Sequence, residues 1–71
     1  MQSKVISIKS DTVSGTPCFV GTRVPIKSLF DYLEAGDDLE EFLDQFPSVT
    51  REAAIQLLED CRHAVLAAQS A

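Results

Sequence analysis

The sequence predicts a mainly α-helical fold in which a short N-terminal β-hairpin or extended arm precedes a three-helix unit. Two observations support this prediction. Most of the glycine and proline, together with β-favouring residues, lies before residue 26, and three apolar stripes with helical spacing follow. A chain of 71 residues has the size of one small domain. We therefore expect a single domain over 1–71, with the extended element in 1–25 and the helices in 26–71.

The stretch 15–26 predicts a tight hairpin that leads into the first helix. Residues 19–20 are Phe and Val, which favour strands, and residues 21–22 are Gly and Thr, which allow the chain to reverse. Pro25 then suits the first position of a helix. Before the hairpin, the apolar residues within 5–8 alternate in part with polar ones. This pattern predicts an earlier short strand or extended arm.

Each predicted helix has its own start and stop signals. The first begins at Pro25 and ends before Gly36. The second begins after Asp38, a residue type that caps helices, and ends before Pro47. The third begins at Thr50 and continues for about five turns. The apolar stripes are Ile26, Leu29, Phe30 and Leu33; Leu39, Phe42, Leu43 and Phe46; and Ala54, Leu57, Leu58, Cys61, Val65 and Ala68.

Composition and charge exclude several classes of protein. No apolar run approaches the roughly 18 to 20 residues of a membrane helix, and residues 1–7 lack the apolar core of a signal peptide. We therefore expect a cytoplasmic protein without membrane contact. The net charge is -5, and residues 30–60 carry ten acids against Arg51, whereas residues 1–29 carry four Lys or Arg against one acid. Such a chain binds nucleic acid poorly except through a local basic patch.

The cysteine and histidine residues do not predict an enzyme. Cys18 and Cys61 are 43 positions apart and lack the spacing of a metal site, so we expect buried thiols. His63 is the only histidine, and the sequence places no nucleophile within its reach. Its positive form would favour the C-terminal end of the third helix. We therefore expect no catalytic residue, no metal and no cofactor.

An acidic cluster marks the start of the second helix. Two interpretations remain open for it: a solvated face whose members cap the helix, or an acidic surface that binds a partner. An EF-hand loop is a poor match, because these acids straddle a helix start and do not alternate around a central glycine. The candidate partner-binding residues are Asp37, Asp38, Glu40, Glu41 and Asp44.

The third helix is a candidate for nucleic-acid binding. The second and third helices are joined through residues 47–49, which is the spacing of a helix-turn-helix. In that motif, Thr50, Arg51 and Gln56 would occupy the turns that read bases, and Arg to guanine and Gln to adenine are suitable pairings. Acidic residues on the same helix oppose this interpretation, because they repel phosphates. Contact of these side chains with solvent or protein is the alternative.

Arg23 follows the predicted turn and admits two interpretations. Its guanidinium could brace backbone carbonyls or a carboxylate at a packed corner or dimer contact, or it could bind an anion such as nucleic acid. A domain this small has a thin margin of stability, so self-association would help it. We expect a homodimer. The candidate dimer contacts are Phe19, Val20, Arg23, Val24 and Val65.

The chain resembles the domain of unknown function 433 family, a group of small bacterial and archaeal proteins. The resemblance lies in Gly15-x-Pro17, Val20-Gly21-Thr22-Arg23-Val24-Pro25, Leu33-x-x-Gly36 and Phe46-Pro47-x-x-Thr50. It implies a homeodomain-like trihelical fold, or helix-turn-helix bundle, with a short β element at the N-terminus. The resemblance supplies no catalytic residue.

The resemblance also implies a function. Family members are taken to be antitoxins, similar to the VapB type, which pair with a PIN-like ribonuclease toxin and repress their own operon by binding operator DNA. The chain leaves little length for a flexible toxin-wrapping tail, so we expect a folded surface to serve. The prediction is a non-enzymatic, antitoxin-like interaction module. The alternatives are a helix-turn-helix transcriptional regulator without a toxin partner, and a small structural subunit of a larger assembly.

Overall fold

The computed structural model describes residues 5–7 and 16–69. Two short strands precede three helices, which confirms a small, mainly helical fold with a β element at its N-terminal end. The predicted positions Ile8 and Gly15 lie outside the described residues. In chain order the elements are β1 (Ile6–Ser7), β2 (Cys18–Phe19), α1 (Ile26–Glu34), α2 (Leu39–Gln45) and α3 (Arg51–Gln69).

The β element differs in part from the predicted hairpin. The chain does reverse after β2, because the amide of Phe19 donates to the carbonyl of Val24 at 3.0 Å and Gly21 has a φ of 75°. However, this return segment forms only an isolated bridge with Cys18 at Pro25. The strand that pairs with β2 is β1, which runs antiparallel with Ile6 opposite Phe19. The sheet therefore joins two segments that are distant in sequence.

Thr22 stabilises the turn that follows β2. Its hydroxyl donates to the carbonyl of Phe19 at 2.8 Å and accepts from the amide of Val24 at 3.0 Å. A hydroxyl that bonds backbone groups on both sides of a turn satisfies groups that the hydrogen bonds between paired strands would otherwise satisfy. Thr22 thus fixes the corner that delivers the chain to α1, while the neighbouring Arg23 points to the exposed side of that corner.

Helix α1 ends as the sequence predicts. Gly36 has a φ of 94°, and its amide donates to the carbonyl of Leu33 at 3.1 Å. The amide of Asp37 donates to the carbonyl of Tyr32 at 2.9 Å. These two bonds form a Schellman motif, which favours glycine because other residues are strained at positive φ. The motif turns the chain directly into the start of α2.

Helices α2 and α3 begin at the predicted caps. The carboxylate of Asp38 accepts from the amide of Glu41 at 2.9 Å, and the hydroxyl of Thr50 accepts from the amide of Ala53 at 3.1 Å. Each cap satisfies an amide that has no partner inside its own helix. Between the helices, the amide of Val49 donates to the carbonyl of Phe46 at 3.0 Å.

The core is centred on the ring of Phe42 in α2. This ring lies 6.1 Å from that of Phe19, 5.6 Å from that of Tyr32 and 5.0 Å from that of Phe46, measured between centroids. Tilted and edge-on aromatic pairs at such distances are favourable. The ring cluster therefore joins β2, α1 and the end of α2. The buried residues of the hydrophobic core are Phe19, Leu29, Phe42, Val49, Ala54 and Leu57.

Three sequence predictions about burial need correction. Phe19 was expected at a dimer contact, but it is only 1% exposed and belongs to the chain's own core. Leu33 was expected in the buried stripe of α1, yet it is exposed, and Tyr32 packs against the core in its place. Cys61 was expected to be a buried thiol, but it is only half-buried. Burial at these positions depends on which elements pack together, and helical spacing alone does not reveal that. Val49 lies in the predicted link between α2 and α3, and it is buried as well.

The second half of α3 extends past the core. Ala54 and Leu57 in its first turns are fully buried, whereas Val65 is 59% exposed and Ala68 is exposed. The helix has 19 residues, against nine in α1 and seven in α2. The shorter elements cannot cover its whole length, so apolar side chains near its C-terminal end remain accessible.

The corrected position of Phe19 can be tested by truncation. We expect Phe19→Ala to lower the free energy of unfolding by about 3–5 kcal/mol, because it removes a fully buried ring. The neighbouring Val20→Ala, at a residue that is 55% exposed, should change the free energy of unfolding little. Urea unfolding followed by circular dichroism measures both values. Equal effects of the two substitutions would contradict the placement of Phe19 in the core.

Candidate functional site

An ion pair joins the start of α3 to the start of α2. The Nη2 atom of Arg51 donates to Oε1 of Glu40 at 2.6 Å, and Nη1 of Arg51 contacts the other carboxylate oxygen. This two-point geometry matches the guanidinium fork to the carboxylate. The hydrogen bond from Arg51 lowers the pKa of Glu40, and the same hydrogen bond raises the pKa of Arg51. Both side chains are at the surface, so salt weakens their attraction.

The other predicted base-reading side chains are also engaged within the chain. The amide nitrogen Nε2 of Gln56 donates to Oδ1 of Asp60 at 2.8 Å, one turn further along α3. The hydroxyl of Thr50 caps the helix. The structure therefore leaves Thr50, Arg51 and Gln56 exposed in the first turns of α3, but it gives each of them an intramolecular partner. Binding DNA through Arg51 would require its separation from Glu40.

The five predicted acidic residues divide into two groups. Asp38 caps α2 and Glu40 pairs with Arg51, so these two have structural roles. Asp37, Glu41 and Asp44 are exposed, and within residues 5–7 and 16–69 no cation pairs with their carboxylates. We call these three residues the acidic surface. Glu41 and Asp44 are three positions apart, so they lie on one face of α2, away from the buried Phe42.

Most basic side chains in the described part of the chain already have an acidic partner. Lys27 pairs with Asp31 at 2.7 Å in α1, and Arg62 lies 3.6 Å from Glu59 in α3. Together with Arg51, three of the four Lys and Arg residues in this part are thus paired. Arg23 is exposed, and no carboxylate among the described residues pairs with it. The described surface therefore offers few cations to a phosphate backbone.

The two cysteines and the histidine lie in different surroundings. Cys18 is buried, and its sulfur donates to the carbonyl of Thr16 at 3.4 Å, while Cys61 is half-buried on α3. The Nε2 atom of His63 lies 3.8 Å from Glu59 on an exposed face. Among the described residues, no group of three or more His, Cys, Asp or Glu side chains is placed to hold a metal ion.

The remaining candidate dimer contacts are divided between two regions. Val20 and Arg23 are exposed at the corner after β2, while Val24 is half-buried against the core. Val65 is exposed on the distal part of α3. Sequence reasoning missed two further exposed apolar residues of α3, Ile55 and Leu66, which are 44% and 50% exposed. Both are apolar residues outside the predicted buried stripe of α3. Their position outside the stripe could have identified them as exposed apolar residues.

The Glu40–Arg51 pair gives a test by titration. We expect Arg51→Gln to raise the pKa of Glu40 toward its ordinary range, because the hydrogen bond that favours the ionised carboxylate is lost. A lowered folded-state pKa stabilises the fold above the ordinary carboxyl pKa and ceases to do so as the pH falls through the lowered value. Urea midpoints of the two proteins should therefore differ at pH 7 and converge in acid.

Carboxyl carbon NMR measures the titration of Glu40 directly. Lys27→Gln removes a different exposed ion pair and should leave that titration unchanged. If Glu40 titrates identically with and without the guanidinium of Arg51, the pair does not exist in solution.

No helix in the described part of the chain combines the length and apolar character needed to cross a membrane.

Of the comparisons with known proteins, one found a match. A search of curated proteins found no match, and a search of solved structures found none either. A protein-family model described as "Protein of unknown function (DUF433)" matches residues 6–59, from β1 to the middle of α3. Because this match covers well over half of the chain, the protein belongs to the DUF433 family.

Proposed function

We propose that this protein is a non-enzymatic, antitoxin-like interaction module that binds a basic protein surface, that of a PIN-like ribonuclease. The observation that carries the proposal is the acidic surface, because Asp37, Glu41 and Asp44 have no cationic partner among the described residues. Most described cations are paired, so the exposed charge is mainly negative. The resemblance to antitoxins of the VapB type supplies the class of partner.

The mechanism is competition for a cationic surface. A ribonuclease holds the phosphates of RNA with Lys and Arg side chains, and carboxylates on a rigid helix can occupy the same positions. The Schellman turn at Gly36 and the cap by Asp38 hold α2 in place, so the acidic surface is ordered before it binds. Opposite charges also speed association. The proposed role places the protein in the cytoplasm, where such a nuclease would meet RNA.

A second candidate function is binding of operator DNA by a homeodomain-like helix-turn-helix. The observation that favours it is the exposed placement of Thr50, Arg51 and Gln56 on the first turns of α3. The short connection from α2 to α3 supports the same motif. The engagement of Arg51 by Glu40 makes this the weaker candidate. In either role we propose that the protein acts as a homodimer, and Val20, Arg23, Val24 and Val65 stay candidate contacts.

The nuclease proposal predicts a salt-sensitive complex. The tagged full-length protein, isolated from its own host at low ionic strength, should retain a basic nuclease, and raising the salt should release it. Glu41→Gln combined with Asp44→Asn should weaken inhibition of that nuclease roughly tenfold or more, because two carboxylates of the acidic surface are neutralised. Glu34→Gln combined with Asp31→Asn is the matched control, since it makes the same two kinds of change at exposed positions of α1.

Two results would reject the nuclease proposal. One is the absence of any nuclease among the retained proteins, even at low salt. The other is a retained nuclease that both double variants inhibit equally well, because the acidic surface would then have no special part in binding.

The DNA candidate predicts opposite effects of two substitutions. Binding to the promoter region of its own gene, followed by fluorescence anisotropy at two salt concentrations, should weaken roughly tenfold in Arg51→Ala. Glu40→Gln should strengthen it, because the guanidinium of Arg51 is released and a negative charge is lost. Unchanged binding in Arg51→Ala, or no salt-sensitive binding at all, leads us to abandon this candidate.

A further inference from the structure

A second face of α3 carries apolar side chains that the core does not bury. Ile55 is 44% exposed and Leu66 is 50% exposed. They are eleven residues apart, which is about three turns, so both lie on one side of the helix, roughly 16 Å from each other along its axis. The buried Ala54 precedes Ile55 and therefore lies about 100° away around the helix. Ile55 and Leu66 thus belong to a face distinct from the one that meets the core.

Two charged residues lie between these apolar residues on the same face. Glu59 comes four positions after Ile55, and Arg62 comes four positions before Leu66. Both charged side chains are exposed, and they contact each other at 3.6 Å. The face therefore runs apolar, acidic, basic, apolar along α3. An exposed intrahelical pair of this kind contributes little by itself, and its charges can turn to another partner.

The order of residues along this face matches the same order in a second α3 that runs in the opposite direction. Apolar residues then meet apolar residues, and acidic residues meet basic ones. The point midway between Asp60 and Cys61 is equally distant from Ile55 and Leu66, and equally distant from Glu59 and Arg62. A second α3 that runs antiparallel across this point would place Ile55 against the partner's Leu66 and Glu59 against the partner's Arg62. A parallel pair in register would instead place like charges together, which is unfavourable. The charge order therefore selects the antiparallel arrangement.

We propose that α3 binds α3 of a second copy of this chain in an antiparallel pair whose two-fold axis passes between residues 60 and 61. Two-fold pairing uses the same patch on both copies, so each contact occurs twice. The pair holds two Ile55–Leu66 contacts and two Glu59–Arg62 contacts. It covers apolar surface that a domain of this size cannot cover alone. This inference deepens the homodimer proposed above and requires neither the nuclease nor DNA.

A charge-swap series tests the pairing. Glu59→Arg and Arg62→Glu each place like charges opposite one another across the two-fold axis, so each should raise the dimer dissociation constant roughly tenfold or more. The double variant E59R/R62E restores opposite charges and should dimerise like the original chain. An equimolar mixture of the two single variants should form a heterodimer, because the mixed pair has only opposite charges in contact. Sedimentation equilibrium over a range of concentrations measures each constant.

Controls separate this result from misfolding and from net charge. Lys27→Glu makes the same change of charge as Arg62→Glu on α1, and it should leave dimerisation unchanged. Circular dichroism confirms that each variant keeps its helices. The proposal is overturned if the original chain is monomeric at all concentrations, if the single reversals dimerise normally, or if neither the double variant nor the mixture recovers. Because nuclease binding is measured separately, either proposal can fail while the other stands.

Discussion

The burial of the Phe42 ring is the interaction on which the other elements depend. Helix α2 has only seven residues, and a helix of that length is not stable alone in water. It forms because its one fully buried ring packs against Phe19 of β2, Tyr32 of α1 and Phe46 at its own C-terminal end. A single side chain thus connects the sheet to the first two helices. Its burial also sets which face of α2 points to solvent.

An ion pair connects the exposed face of α2 to the start of α3, and this pair bears on both functional proposals. Glu40 contacts Arg51, so the arginine of the DNA-binding proposal is held by a member of the predicted acidic cluster. The remaining carboxylates form the acidic surface, in which Glu41 and Asp44 lie on the capped helix α2 and Asp37 lies in the turn before it. The same packing leaves the outer face of α3 exposed, and its charge order suits a second copy of the chain.

The sequence predicted those features that depend on local chemistry. Gly36, Asp38 and Thr50 end or begin helices through hydrogen bonds to residues a few positions away, and the structure confirms all three boundaries. Contacts between distant positions were not predictable in this way. The burial of Val49 and Phe19 depends on elements far along the chain. The Glu40–Arg51 pair likewise spans eleven positions and two helices, and no pattern in either helix indicates it.

Native-state hydrogen exchange tests most directly whether the ring of Phe42 holds the fold together. If it does, amides in the middle of α2 open only when the whole domain unfolds. Their free energy of opening should then equal that of amides around Ala54 and Leu57 in α3. The account is contradicted if the amides of α2 exchange much faster than those of α3, because α2 would then open while the rest of the core stays folded.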